Sequence, residues 1–185
     1  MIIRKATLQD SKAIASLLLI AMEEIVYSFI RKKDFELAKA FLLHFVESEN
    51  NQYSYQNCFV VEEDHKITGA VNIYDGAALL ELRKPIIDYV RNNFNPDFNP
   101  EVETQSGEFY IDSIGVNPEY QGLGIGSKLL QFLIDKYSVK NNLTLGLLVE
   151  EANPNAKKLY LRLGFKKVGH KKLAGKHMEH LQLKP

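Results

Sequence analysis

Between Phe109 and Ile134 a strand pattern, a glycine-rich turn and an amphipathic helix pattern come in direct succession. The strand reads Phe109-Tyr110-Ile111-Asp112-Ser113-Ile114-Gly115-Val116, and the turn Gln121-Gly122-Leu123-Gly124-Ile125-Gly126. Leu129, Leu130, Leu133 and Ile134 then recur at the helical period. A helix begins with N–H groups that lack intrahelical partners and with the positive end of the macrodipole. Three glycines at alternate positions bare those donors, so a phosphate or pyrophosphate can reach them. Two other phosphate cradles do not fit. The dinucleotide fingerprint needs glycine where this chain has Ser127, and the Walker loop needs Gly-Lys-Ser/Thr where it has Gly126-Ser127-Lys128.

A second element follows at short range. After the apolar run Leu143-Thr144-Leu145-Gly146-Leu147-Leu148-Val149, Asn153 is a helix N-cap with Pro154 at the first helical position. Ala156, Leu159, Tyr160 and Leu163 share one face of a short helix, Gly164 supplies a left-handed cap, and Phe165 opens the next strand.

The pair Gln-x-x-Gly-x-Gly and Asn-x-x-Ala-x-x-Leu-Tyr-x-x-x-Gly-Phe, in this order, resembles the GNAT superfamily, the Gcn5-related N-acetyltransferases. The match is densest from Phe109 to Phe165, and the order of elements extends it over most of the chain. The resemblance implies an α/β (α+β) fold whose mixed, mostly antiparallel central sheet is flanked by helices. Its fourth and fifth strands splay apart to admit acetyl-CoA, the acetyl donor, and the acceptor is a primary amine of a small molecule, peptide or protein that attacks directly in a ternary complex. A non-catalytic acyl-CoA-binding regulatory domain is the alternative.

Carried over residue by residue, the resemblance assigns coenzyme binding to Gln121, Gly122, Leu123, Gly124, Ile125, Gly126 and Ser127, with Asn153 beside the pantetheine arm. It implies a main-chain N–H of Ile114 or Val116 that polarises the thioester carbonyl, Gly115 permitting a bulge that frees it. Tyr160 is the partner of the leaving thiolate. The general base is Glu108, at the start of the fourth strand, or Asp112 further along it, acting directly or through water. Glu150 and Glu151 can attract a cationic amine at the mouth. Of five histidines none pairs at metal-ligand spacing, so no metal is expected; His177 and His180, with Glu179, read as an edge strand with surface roles.

The 185 residues, 45% of them apolar, suit one domain over 1–185 with a variable insert at about 76–106. In the insert, helical turns around Pro85 precede a turn-rich Asn95-Pro96-Asp97-Phe98-Asn99-Pro100 segment. It is read as part of the acceptor wall or as a packing or dimer contact, with Glu81 and Asp88 as its acids. Lys+Arg and Asp+Glu are equal at 23 each, so no global field draws the chain to nucleic acid or an anionic membrane. The longest early apolar stretch, Leu17 to Met22, is too short for a bilayer span. A lone cysteine, Cys58, excludes an internal disulfide and is consistent with a cytoplasmic location. Relatives in the superfamily often form homodimers.

Ahead of these motifs the pattern gives a strand Ile2 to Ala6 and a helix capped by Asp10 with Ile14, Leu17, Leu18, Ala21 and Ile25 inward. Asp34 caps a second helix, Glu47 to Asn57 is a polar loop, and Asn57–Glu62 with Lys66–Tyr74 forms a hairpin.

Overall fold

The computed structural model of the protein describes residues 1–185. One seven-stranded sheet runs in the order β1-β2-β3-β4-β5-β7-β6, with β1 Ile2–Lys5, β2 Cys58–Glu63, β3 Lys66–Asp75, β4 Glu108–Val116, β5 Thr144–Glu150, β6 Lys166–Leu173 and β7 Lys176–Leu183. All neighbours are antiparallel except β4 and β5. That parallel pairing covers only Glu108↔Thr144 to Ile111↔Leu147, after which the two strands part.

Alternation along the strands gives the sheet two buried faces. Cys58, Val60 and Ala70 face α1 (Ser11–Ile30), α2 (Phe35–Glu47) and α3 (Leu79–Asn93) in one core. Phe59, Val61, Val71 and Ile111 face α4 (Ile125–Leu133), and Leu159, Tyr160 and Leu163 of α5 (Pro154–Arg162) pack on that second core. The last turns of α4 continue as a π-helix over Ile134–Val139.

Asp34 caps α2 as read, accepting from Leu37 N at 3.0 Å. Asp10 does not cap α1 with its side chain; it binds Arg4 at 2.8 and 2.9 Å and the Thr7 amide at 2.8 Å, tying β1 to the start of the helix. In α1 the residue Met22 leaves helical geometry (φ −136°, ψ 26°), which shifts the helical phase. Met22, Val26, Phe29 and Ile30 are buried beyond it, whereas Ala21 and Ile25, expected inward, are not. The apolar stretch is also longer than Leu17 to Met22: Leu8–Ile30 has the length and composition of a membrane span, with a mean hydropathy of 1.9. In the structure it is a core helix, and a Cβ on Gly115 of β4 would overlap the carbonyl of Leu17.

Three further expectations change. The insert folds as the 15-residue helix α3, with Pro85 inside it, rather than as isolated turns. The polar run after α2 is a loop, but Asn51, Gln52 and Ser54 are buried, because their amides and hydroxyls find partners inside. And β7 is not an edge strand: the final hairpin turns back between β5 and β6, so His180 and Glu179 are buried and β6 forms the edge.

Candidate active site

Where β4 and β5 part, a cavity of about 540 Å³ opens. Asp112, Ser113 and Ile114 of β4 line it, facing Leu148, Val149 and Glu150 of β5, and Asn153, Ala156 and Tyr160 reach it from the α5 side. The insert contributes Arg83 and Glu103, and the kinked part of α1 forms a further wall with Ala21, Met22 and Ile25.

The register of β3 against β4 explains how Asp112 reaches the cavity. Asn72 pairs with Ser113 and Ile73 with Ile111, so Asp112 is an extra residue on β4, a bulge of the kind that re-aims a side chain. The bulge is therefore at Asp112 and not at Gly115, whose missing side chain serves the close approach of α1. Beyond Ile111 the β5-facing edge of β4 has no strand partner. Ile114 lines the cavity there, and Val116 lies at the loop end, its Cγ2 3.9 Å from where a Cβ on Gly126 would stand.

Asp112 accepts from Gln52 Nε2 and from the Tyr74 hydroxyl, both at 2.7 Å. Gln52 Nε2 also contacts Glu103 Oε1 at 3.2 Å, while its own oxygen accepts from Arg83 Nε at 2.8 Å. Arg83 closes the network with an ion pair to Glu103, both side chains 4% exposed. One guanidinium thus faces two enclosed carboxylates. Burial pushes Glu103 up to about 7, against the pull of Arg83, and raises Asp112 against its two hydrogen bonds. Burial works against the Arg83 charge, but Glu103, Tyr53, Tyr74 and Asp112 together outweigh it and the guanidinium stays protonated.

Glu108 lies elsewhere. Its carboxylate is buried under β5 and β7, accepting from Gln182 Nε2 at 2.7 Å and the Gln105 amide at 3.1 Å, with His180 Nε2 at 2.9 Å. Burial would raise it, but the bonds from His180 and Gln182 prevail and hold it below the usual range. It does not line the cavity, and a Cβ on Gly146 would overlap it. Glu150 lines the cavity but is paired with Lys176 at 3.0 Å, and Glu151 lies near His170 at 3.2 Å outside it. Glu81 and Asp88 do not reach it either; Asp88 is paired with Lys84.

Tyr160 is half-buried against Phe165, with ring centroids 6.0 Å apart, and burial raises its hydroxyl pKa, keeping it a proton donor. Asn153 caps α5 through Ala156 N at 3.1 Å. At the start of α4, Gly124 takes φ +77° and no side chain caps the helix; a Cβ at Gly122 or Gly124 would meet nothing within 4 Å. Gln121, Leu123 and Gly124 are exposed, Ile125 is anchored in the core, and the first amides of α4 are left without a side-chain cap.

Sequence reasoning missed Arg83, Glu103, Gln52 and Ser113. One signal was available: Arg83 falls on the same helical face as Leu79, Ile86 and Val90, all buried, so a charge sits on the apolar stripe of α3.

A mixed sheet that opens between its two parallel strands, with an uncapped helix start following the fourth strand, is the architecture of an acetyltransferase domain. The chain belongs to the acetyltransferase (GNAT) family, whose model matches residues 22–165. It is similar to a crystal structure described as an acetyltransferase, at 29% identity and a TM-score of 0.81 over 100% of this chain and 99% of that one. It is also similar to an N-acetyltransferase from Staphylococcus aureus Mu50, at 22% identity and a TM-score of 0.86 over 99% and 100%. The fold extends to the spermidine/spermine N-acetyltransferase of Vibrio cholerae, at 20% identity and a TM-score of 0.56 over 99% and 93%. A search of curated proteins gave no match.

Proposed function

We propose that this acetyltransferase moves the acetyl group of acetyl-CoA directly to a primary amine, both substrates being held in the cavity at the parting of β4 and β5. That cavity carries the reading, because it brings Tyr160 of α5 and Asp112 of β4 to one space, and the chain passes from β4 to an α4 whose start no side chain caps.

Bound there, the coenzyme supplies the acetyl thioester and a thiol leaving group. The amides of residues 121–127 hold the diphosphate, and Asn153 borders the pantetheine arm. A free main-chain N–H at Ile114 or Val116 stabilises the negative charge that develops on the carbonyl oxygen. The amine nitrogen bonds to the carbonyl carbon as the carbon–sulfur bond breaks. Asp112 accepts the amine's proton, directly or through a water, and the Tyr160 hydroxyl gives its proton to the departing sulfur. Glu108 has no part in this scheme, since its oxygens are occupied by Gln105, Gln182 and His180.

Two measurements test the reading. The first is acetyl-CoA-dependent release of free thiol across polyamines, aminoglycosides, amino acids and N-terminal peptides. The second is CoA affinity in Gly126→Leu, a position free of the positive φ that would strain Gly124→Val. CoA affinity is expected to fall about tenfold or more as side-chain bulk covers the amides, with stability nearly unchanged. Unaltered affinity in the folded variant overturns the cradle; affinity without thiol release for any amine favours a regulatory acyl-CoA-binding domain.

A further inference from the structure

The charges that line the cavity fall into two groups by depth. In the enclosed group Glu103 and Asp112 face the single cation Arg83. In the outer group Glu23, Glu24 and Glu150 line the cavity with Lys176, and Arg31, Lys32 and Lys33 adjoin Glu24 on its outer side. Glu23 is engaged only by the neutral Tyr27 hydroxyl at 2.6 Å, and Glu24 has only a loose contact with Lys33 at 3.7 Å across exposed side chains. The residues that line the cavity itself therefore carry an excess of carboxylate at both depths, although the whole chain is formally neutral.

An unbalanced charge in an enclosed site is costly, and the protein's own cations do not balance this one. Burial drives up the proton affinity of both inner carboxylates, the response of acids that lack a full complement of positive partners. A second observation marks the same cavity as a ligand site. Ser113, on its wall and only 9% exposed, has a hydroxyl oxygen with no hydrogen-bond partner in the protein. Much of the remaining wall is apolar, with Ile20, Ile25 and Phe29 from α1 and Leu148 and Met178 from the strands. Aromatic and aliphatic surface with acids at two depths suits cations joined by methylenes.

Resting on the acetyl-transfer reading, we propose that the acceptor is an aliphatic di- or polyamine. One amine docks at Asp112, Glu103 and Ser113, and a second ammonium is held at the mouth by Glu23, Glu24 and Glu150. The inner ammonium gives one proton to Asp112 and becomes the nucleophile; the second, lost as the nitrogen bonds to the carbonyl carbon, replaces the proton that Tyr160 gives to the sulfur. The outer one remains charged throughout and fixes the chain's direction. Arg83 and Gln52 are positioning residues that hold the two inner carboxylates in place.

The experiment compares n-butylamine, 1,4-diaminobutane and spermidine as acceptors by thiol release at saturating acetyl-CoA, in the wild type and in the double variant Glu23→Gln, Glu24→Gln. The diamine and triamine are expected to exceed the monoamine in kcat/KM by at least about tenfold. The double variant should raise KM for the diamine about fivefold, with kcat and the monoamine KM unchanged, the size expected for partly exposed charge pairs. Increasing salt should narrow the diamine's advantage. Equal turnover of butylamine and the diamine, or a double variant that leaves the diamine KM unmoved, overturns the proposal and leaves acetyl transfer standing. Turnover confined to amino acids or peptides overturns it in the same way. No thiol release with any amine, despite CoA binding, overturns both readings together.

Discussion

At the scale of single residues, Tyr160 and Asp112 reach one cavity from different walls, and each makes a separable prediction. Tyr160→Phe keeps the ring against Phe165 and loses only the hydroxyl, so acetyl-CoA affinity should hold while kcat falls about 100-fold. Unchanged kcat in single-turnover measurements would remove the thiolate role. Asp112→Asn keeps an oxygen for Gln52 and Tyr74 but cannot take a proton; kcat/KM should drop about 100- to 1,000-fold. Because burial raises the Asp112 pKa, the wild-type rate should climb with pH through a value above the ordinary aspartate range near 4. That limb should vanish in the asparagine variant, and its persistence would assign the base elsewhere. Tyr160 and Asn153 were legible because their positions follow from local helix grammar: a cap, a proline, a helical face. Glu108 was not, since its burial is imposed by His180 and Gln182 on the last strand, far along the chain. Alternation tells which face a residue takes, not how deep the face lies.

At the scale of elements, the site depends on how close α1 lies to β4. The carbonyl of Leu17 occupies the space where any residue but glycine at 115 would carry its Cβ. Gly115→Ala must therefore push the helix off the strand or bend both, and should destabilise the fold by about 3 kcal/mol or more, read from denaturant midpoints. A variant as stable as the wild type would mean that the close approach is not needed. The same approach sets the kinked stretch of α1 against the cavity, with Ala21, Met22 and Ile25 on its wall. Here sequence reading ran ahead of the structure. Helical periodicity carried Ala21 and Ile25 into the core, and no Pro or Gly marks the departure at Met22 that turns them out. The insert shows the opposite error. Pro85 limited the reading to helical turns around it, whereas Leu79, Arg83, Ile86 and Val90 form one continuous buried face, and a tertiary surface outweighs the lost amide bond.

At the scale of the whole molecule, the polar network under the cavity ties the insert to β4 and couples stability to pH. An unperturbed glutamate titrates near 4.5, but Glu103 in the folded chain is held at about 7 by burial. Between those values the folded state keeps a proton that the unfolded state has released, so stability must fall as pH rises from about 4.5 to 7. The full effect is on the order of 3 kcal/mol, since one pKa unit is worth about 1.4 kcal/mol. Asp10 acts in the reverse sense: Arg4 is the main cause that lowers it to about 2, so its contribution is present above its ordinary value and lost only as pH falls toward 2. Together the two groups place a stability maximum on the mildly acidic side. Glu103→Gln isolates the upper limb. The substitution shifts stability at every pH by altering the Arg83 contact, but this constant offset cancels when each protein is compared with itself at pH 5 and pH 7.5. The wild type should lose more stability across that interval than the glutamine variant, in which Asp112 is the only carboxylate of this network with a raised pKa, as measured by urea unfolding. Parallel losses in both proteins would show that Glu103 ionises freely in its enclosed position, and that Arg83 neutralises it there without help from a bound cation.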